Sequence, residues 1–182
     1  VWYNGAVYDN IGGSPHIMET YVGGTDQLLK APIGWAFTRT GYYLRKFIDP
    51  RLQSGQPEDT RFKKYRLAEL YLNLAEAENE AHGPTNIARE AVRKIRARVN
   101  MPDFPANLSQ QQFQERVRKE RRVELAFEEH RFWDVRRWKI LNQTDKLVTG
   151  MEIIKQPDNS FTYSRFVTER RNAWSDKFLI LP

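Results

Sequence analysis

The chain has 182 residues, 40% hydrophobic and 13% aromatic, with 29 basic and 23 acidic side chains and a net charge of +6. With no Cys, disulfide stapling, zinc fingers and thiol catalysis are excluded. No run approaches the roughly 20 apolar residues of a membrane-spanning helix, and the interspersed charge signs predict a paired surface rather than a nucleic-acid grip.

The start at Val1-Trp2-Tyr3, without Met or a charged leader, predicts a mature or excised piece of a longer polypeptide. Residues 1–60 are dense in turn formers, among them Gly12-Gly13-Ser14-Pro15, Gly23-Gly24, Gly41 and Pro50. The spacing predicts loops with short extended pieces. Aromatic residues crowd the same stretch: Trp2, Tyr3, Tyr8, Tyr21, Trp35, Phe37, Tyr42, Tyr43 and Phe47. Irregular backbone rich in Gly and aromatics suits a ligand site, and it equally suits loops pinned to a helical scaffold.

Periodicity then predicts a long helix over 61–81, with Leu67, Leu70, Tyr71, Leu74 and Ala75 as its apolar stripe. His82-Gly83-Pro84 ends it. A second helix follows over 85–99, capped by Thr85 or Asn86, with Ile87, Ala88, Ala91, Val92, Ile95 and Val99 on one side. The two form an antiparallel hairpin. Pro102 and Pro105 mark a loop, and Ser109 with Gln112 makes a capping box for a third helix over 110–128. A fourth helix takes 131–141. Beyond it, Pro157-Asp158-Asn159-Ser160 reads as a turn between short strands at 151–155 and 161–166. The apolar ending Phe178-Leu-Ile-Leu-Pro182 again predicts a cut chain.

The stretch Glu120–Trp138 carries the densest charge. Glu120 and Glu124 share a stripe with Phe113 and Val117, so they point partly inward and need cationic partners. Arg118, Arg121 and Arg122 lie within reach, as do Arg residues of the next segment. The prediction is an ion-pair lattice clamping helices, formed by Glu120, Arg121, Arg122, Glu124, Arg131, Asp134 and Arg136. A metal site fails on spacing: Phe127, not Glu, stands three residues before His130. Nucleic acid is disfavoured by five acidic residues among the basic ones. Arg39–Phe47 matches an RNA-recognition strand only faintly, with an aromatic where Gly or Ala is required. No Gly-rich phosphate loop or Gly-x-Ser-x-Gly elbow is present.

Four segments carry a family resemblance. Tyr65-Arg-Leu-Ala-Glu-Leu-Tyr-Leu-Asn-Leu-Ala-Glu-Ala-Glu-Asn-Glu80 is similar to the long helix of the SusD/RagB family. Ile87 to Arg98 is similar to the helix after it. Val117 to Trp138, with Glu-Arg-Arg-Val-Glu-Leu-Ala-Phe-Glu-Glu-His-Arg-Phe-Trp-Asp-Val-Arg-Arg-Trp, resembles the family's strongest motif, with Leu67 and Val135 as mild departures. The likeness covers about Arg45 to Pro182, and Trp174–Pro182 resembles the start of the family's C-terminal segment.

The resemblance implies a mainly α fold, an α-α superhelix of tetratricopeptide-like helix pairs with long irregular loops and minor β. It implies that 1–182 is the C-terminal region only: an aromatic-rich loop segment over 1–60, a helical core over 61–141 and a mixed, truncated end over 142–182. It further implies a non-enzymatic, surface-exposed lipoprotein of the bacterial outer membrane, anchored by a lipid outside this chain. Such a protein binds glycans or other nutrients and delivers them to a SusC-like TonB-dependent transporter, without nucleic acid. No cofactor or metal is implied, although some members bind calcium. Because the family's binding loops vary, candidates come from chemistry instead. Sugar CH faces stack on aromatic rings and polar groups take hydroxyls, which singles out Trp2, Tyr3, Tyr8, Tyr21 and Trp35, with Asn4 and Asp9. Trp133 and Trp138 are expected in the core. The alternative is a helical-repeat module that binds a peptide or protein rather than sugar.

Overall fold

The computed structural model describes residues 1, 3–8, 15–27, 38–49, 63–141, 143–144 and 147–170. These fall into two compact units: one takes the described residues before 62 and after 138, the other takes 63–138.

The second unit is helical: α1 Leu67–His82, α2 Asn86–Ala97, α3 Gln110–Glu124 and α4 His130–Arg137. Helix α1 starts at Leu67 because Arg66 is extended and sends its guanidinium across to α3, with Nη1 2.7 Å from Glu124 and Nε 2.6 Å from Glu128. It stops at Gly83, whose φ of 82° is cheap only without a Cβ and whose N–H reaches the Asn79 carbonyl. Thr85 caps α2 by accepting from the Ala88 N–H. Ser109 and Gln112 form the reciprocal capping box that opens α3.

The core comprises Leu72 and Ala75 of α1, Ala88, Ala91, Val92 and Ile95 of α2, and Phe113, Val117 and Leu125 from α3 and its end. Small residues on the buried face of α1 let α2 and α3 approach closely. This face is not the stripe expected from the leucines: Leu67, Leu70 and Leu74 are 60%, 55% and 45% exposed. Polar groups decide the rotation. Glu76 and Asn79 share the face of Leu72 and Ala75, and both find partners there: Arg137 and Trp138 for Glu76, Gln110 for Asn79. Turning the leucines inward would strand a carboxylate and an amide, which costs more than exposing three apolar side chains. Ile87 and Val99 are likewise exposed, Val99 because α2 has already ended.

The loop after α2 is pinned by stacked cations. Arg96 and Arg116 lie 4.9 and 5.8 Å from the Phe104 ring centre, and Phe104 packs edge-on against Phe113. Arg89 and Arg96 donate to the Pro105 and Pro102 carbonyls. Helix α3 ends at Glu124, short of the expected 128, because Phe127 and Glu129 adopt left-handed backbone with φ of 64° and 66°.

The other unit contains two antiparallel ribbons. Strands β1 Val7–Tyr8 and β2 His16–Ile17 pair through Val7↔Ile17 and Tyr8↔His16. Strands β3 Leu147–Lys155 and β4 Phe161–Arg170 form a longer hairpin than expected. Asp158 caps its turn by accepting from the Ser160 N–H and hydroxyl, and these bonds hold the carboxyl below its ordinary pKa. At Gly150 the strand passes so close to Phe166 that an added Cβ would lie 2.6 Å from the ring, which demands Gly. The far edge of β3 is covered by loop backbone, with the Met151 N–H donating to the Thr40 carbonyl and the Val22 N–H to the Ile153 carbonyl. Among the described residues, no helix is long and apolar enough to cross a membrane.

Candidate functional site

The helical unit concentrates charge in a buried lattice. Arg121, 4% exposed, donates Nε and Nη2 to the two Asp134 oxygens at 3.1 Å each, and Nη1 to Asn73 Oδ1 at 2.6 Å. This is the forked geometry that suits guanidinium and carboxylate. Arg137 grips Glu76 with two bonds of 2.5 and 2.7 Å and reaches Asp134 as well. The Trp138 indole N–H donates to Glu76 Oε1, the oxygen that also takes Arg137 Nη1, at 2.6 Å. Burial alone would raise the Glu76 pKa, but the bonds from Arg137 and Trp138 and the charges of Arg137 and Arg121 hold it below the ordinary carboxylate value.

Glu120 and Glu124 find their partners on other elements: Glu120 meets Arg96 of α2, and Glu124 meets Arg66 and Arg98. Glu128 meets Arg66. Arg136 donates to the Phe132 carbonyl and lies over the Phe132 ring. Arg122 is exposed on α3 and Arg131 is half-buried. The arrangement holds helices together. Among the described residues, no cluster of three or more His, Cys, Asp or Glu could hold a metal. Trp138 is half-buried between the Arg118 and Arg137 guanidiniums, whereas Trp133, expected in the core, is 58% exposed and edge-on to Phe132. The left-handed residues before α4 aim that face outward.

The aromatic candidates lie in the other unit, and Trp2, Asp9 and Trp35 are outside the described residues. Asn4 serves the backbone, its Oδ1 accepting from the Thr20 N–H at 3.1 Å. That bond, with the Gly5 N–H to the Met18 carbonyl, lays the 3–8 segment beside the residues leading to Tyr21. Tyr3 is exposed on the turn and Tyr8 pairs with His16. Tyr21 is braced from two sides. Its ring lies 5.6 Å from that of Phe161, tilted by 43°, and the Lys155 ammonium sits 5.5 Å from its centre. Burial, then the neighbouring Glu19 carboxylate and its hydrogen bond to the hydroxyl, raises the Tyr21 pKa. The loop that holds it is cross-linked by Asp26, whose Oδ2 lies 2.7 Å from His16 Nε2 and accepts from the Glu19 N–H at 2.9 Å.

Phe161 and Lys155 were missed by reading the aromatic loops alone. Their signal lay in the register Lys155↔Phe161 across a predicted hairpin, which sets both on one face. The cluster offers an open aromatic surface with a phenol, an amine and a carboxylate at its margin. That equipment can stack and hydrogen-bond a flat polyhydroxyl ligand.

The SusD family model matches residues 1–179. The chain belongs to the SusD family. It is 44% identical over 80 residues to SusD-like protein P25 of Formosa agariphila, a match covering 42% of this chain and 15% of that protein. It is 33% identical over 97 residues to SusD-like protein P2 of the same organism, covering 50% of this chain and 19% of the relative. A crystal structure of a SusD-like protein from Bacteroides fragilis superposes with a TM-score of 0.77 at 32% identity, over 97% of this chain and 33% of that one. The chain thus spans a third or less of the relatives it matches. The helical unit and minor β of this chain are the SusD-like fold, and membership supports glycan or nutrient binding rather than catalysis at the level of the family.

Proposed function

We propose that this chain is part of a surface-exposed outer-membrane protein that binds a glycan or other nutrient without catalysis and delivers it to a SusC-like TonB-dependent transporter. The observation that carries the reading is the braced Tyr21–Phe161 pair beside Lys155, within a chain of the SusD family. Tyr21 and Phe161 form the floor of the platform, and Tyr3, Tyr8, Trp2 and Trp35, with Asn4 and Asp9, are the further candidates in the neighbouring sequence. The charged motif of α3 and α4 is scaffold. The family likeness implies no cofactor, although some members bind calcium. The membrane link is a lipid anchor outside this chain.

Isothermal titration of the 182-residue chain against a panel of soluble polysaccharides tests the proposal. Saturable binding that Tyr21→Ala weakens at least about tenfold supports it, since one stacked ring accounts for roughly that factor. Absence of binding to every saccharide would sink the sugar reading.

A second reading has its own support. Leu74, Tyr71 and Ile87 border a cavity of about 320 Å³ between α1 and α2, and the exposed leucines of α1 lie on the same helix. A peptide or protein partner could seat there. Retention of a polypeptide partner, with no saccharide bound, would favour it.

A further inference from the structure

The hairpin carries a ladder that starts at the Lys155–Phe161 pair of the platform and runs on through Tyr163 to Arg165, which the platform does not use. Residues alternate faces along a strand, so Phe161, Tyr163 and Arg165 of β4 share one face. Their directly opposed partners on β3 are Lys155, Ile153 and Met151, and opposed residues lie on the same side. One face therefore reads Lys155 and Phe161 near the turn, then Ile153 and Tyr163, then Met151 and Arg165; Ile153 is buried, so what this face opens to solvent is the Tyr163–Arg165 row of β4 with Lys155 and the half-buried Phe161 at its end. Tyr163 is 57% exposed, and Lys155 and Arg165 are exposed.

Neither Lys155 nor Arg165 forms an ion pair with any described residue, whereas Arg66, Arg96, Arg121 and Arg137 of the helical unit are each matched to carboxylates. The carboxylates of the hairpin stand off this face, with Glu169 opposite Val148 on the other side. Glu152 pairs with Ser164 on the opposite face, and Asp158 is held within the turn by Ser160. Glu19 stays at the margin of the platform, hydrogen-bonded to the Tyr21 hydroxyl, and its Oε2 also accepts from the Thr25 N–H and hydroxyl, so its charge is shared among these donors. The result is two cations without an ion-pair partner among the described residues, one beside Phe161 and Tyr21 and one beyond Tyr163. At the usual strand rise, Phe161 and Arg165 are about 14 Å apart, a short stretch of extended polysaccharide.

We propose that this face of the hairpin binds a glycan bearing acidic groups, carboxylates or sulfate esters. The Phe161 and Tyr163 rings lie under the sugar faces, and Lys155 and Arg165 hold the acidic substituents. The proposal rests on the saccharide reading of the Tyr21–Phe161 platform and names its ligand class. An aromatic surface alone binds neutral sugars; unmatched cations at both ends favour a charged one, because an ammonium or guanidinium gains most from an anionic acceptor.

The test is titration of the full chain with three soluble probes at low and high salt: a neutral malto-oligosaccharide, an oligogalacturonate and a heparin-derived oligosaccharide. The expected result is that at least one acidic probe binds about tenfold or more tightly than the neutral one, with an advantage that shrinks at high salt. The carboxylated and sulfated arms tell the two acidic groups apart. Replacing both cations, Lys155→Gln with Arg165→Gln, should remove the advantage, and the charge-keeping pair Lys155→Arg with Arg165→Lys should retain most of it. A loss in both pairs, with an altered circular dichroism spectrum, would mean a damaged hairpin and would count against the charge-based account. Equal binding of neutral and acidic probes, unaffected by the double replacement, overturns the inference and leaves the saccharide reading standing. No binding of any of the three probes overturns the inference, and the polysaccharide panel then decides whether the saccharide reading falls with it.

Discussion

Replacing Arg121 by Ala should destabilise the helical unit severely, although the side chain touches no surface a ligand could reach. Arg121 is buried and satisfies both oxygens of Asp134, whose side chain is itself only 5% exposed, together with the Asn73 amide. Removing one partner of a buried pair costs roughly 3–5 kcal/mol, because the other charge stays buried without its match. Arg137 remains beside Asp134 at 2.9 Å but is 43% exposed, so it offsets part of the loss. The expected cost is therefore at the low end, about 3 kcal/mol. For a unit of this size that corresponds to a fall in melting temperature of roughly 12–24 °C. Thermal melts followed by helical circular dichroism measure it, with Arg93→Ala as the reference. Arg93 pairs with Glu90 on the surface, where such pairs contribute about 0–1 kcal/mol. If Arg121→Ala melted within about 1 kcal/mol of the parent, the lattice would be ornamental and the scaffold role assigned to it would be wrong.

Three further outcomes follow from the same contacts. The Glu76 carboxyl is held below its ordinary pKa by Arg137 and Trp138, so its stabilisation is present above the unfolded value and lost as pH falls through the lower folded one. Glu76→Gln should flatten that part of the acid-denaturation curve, and an unchanged curve would contradict the assignment. Glu129 is exposed with φ of 66°. Glu129→Gly should relieve about 1 kcal/mol of backbone strain, seen as a higher urea midpoint; a lower midpoint would show that no strain is stored there. Leu70 is more than half exposed beside Leu67 and Leu74, so Leu70→Glu should reduce binding of a hydrophobic dye without lowering the melting temperature. A large drop in melting temperature would place Leu70 in a core.

Local chemistry made much of the fold legible. Gly83, Thr85 and the Ser109–Gln112 box carry their own end signals, and each helix end they mark is where the sequence puts it. The rotation of α1 was not legible, because two apolar faces compete on that helix. The choice falls to Glu76 and Asn79, whose partners arrive from more than thirty residues away. The end of α3 was hidden for a similar reason. Phe127 and Glu129 have ordinary side chains in left-handed backbone, and no Gly announces the turn. At the candidate site the aromatic content of the loops was visible from composition, but the pairing of Tyr21 with Phe161 joins positions 140 residues apart and depends on hairpin register.

The central claim is that an aromatic surface on the mixed unit, not the charged helical motif, meets the ligand. Its most direct measurement compares saccharide affinity for the parent chain and for Tyr21→Ala with Phe161→Ala, at matched circular dichroism. The account predicts that the double variant loses saccharide binding by at least about tenfold while its melting transition is preserved. Full affinity in a correctly folded double variant would contradict it.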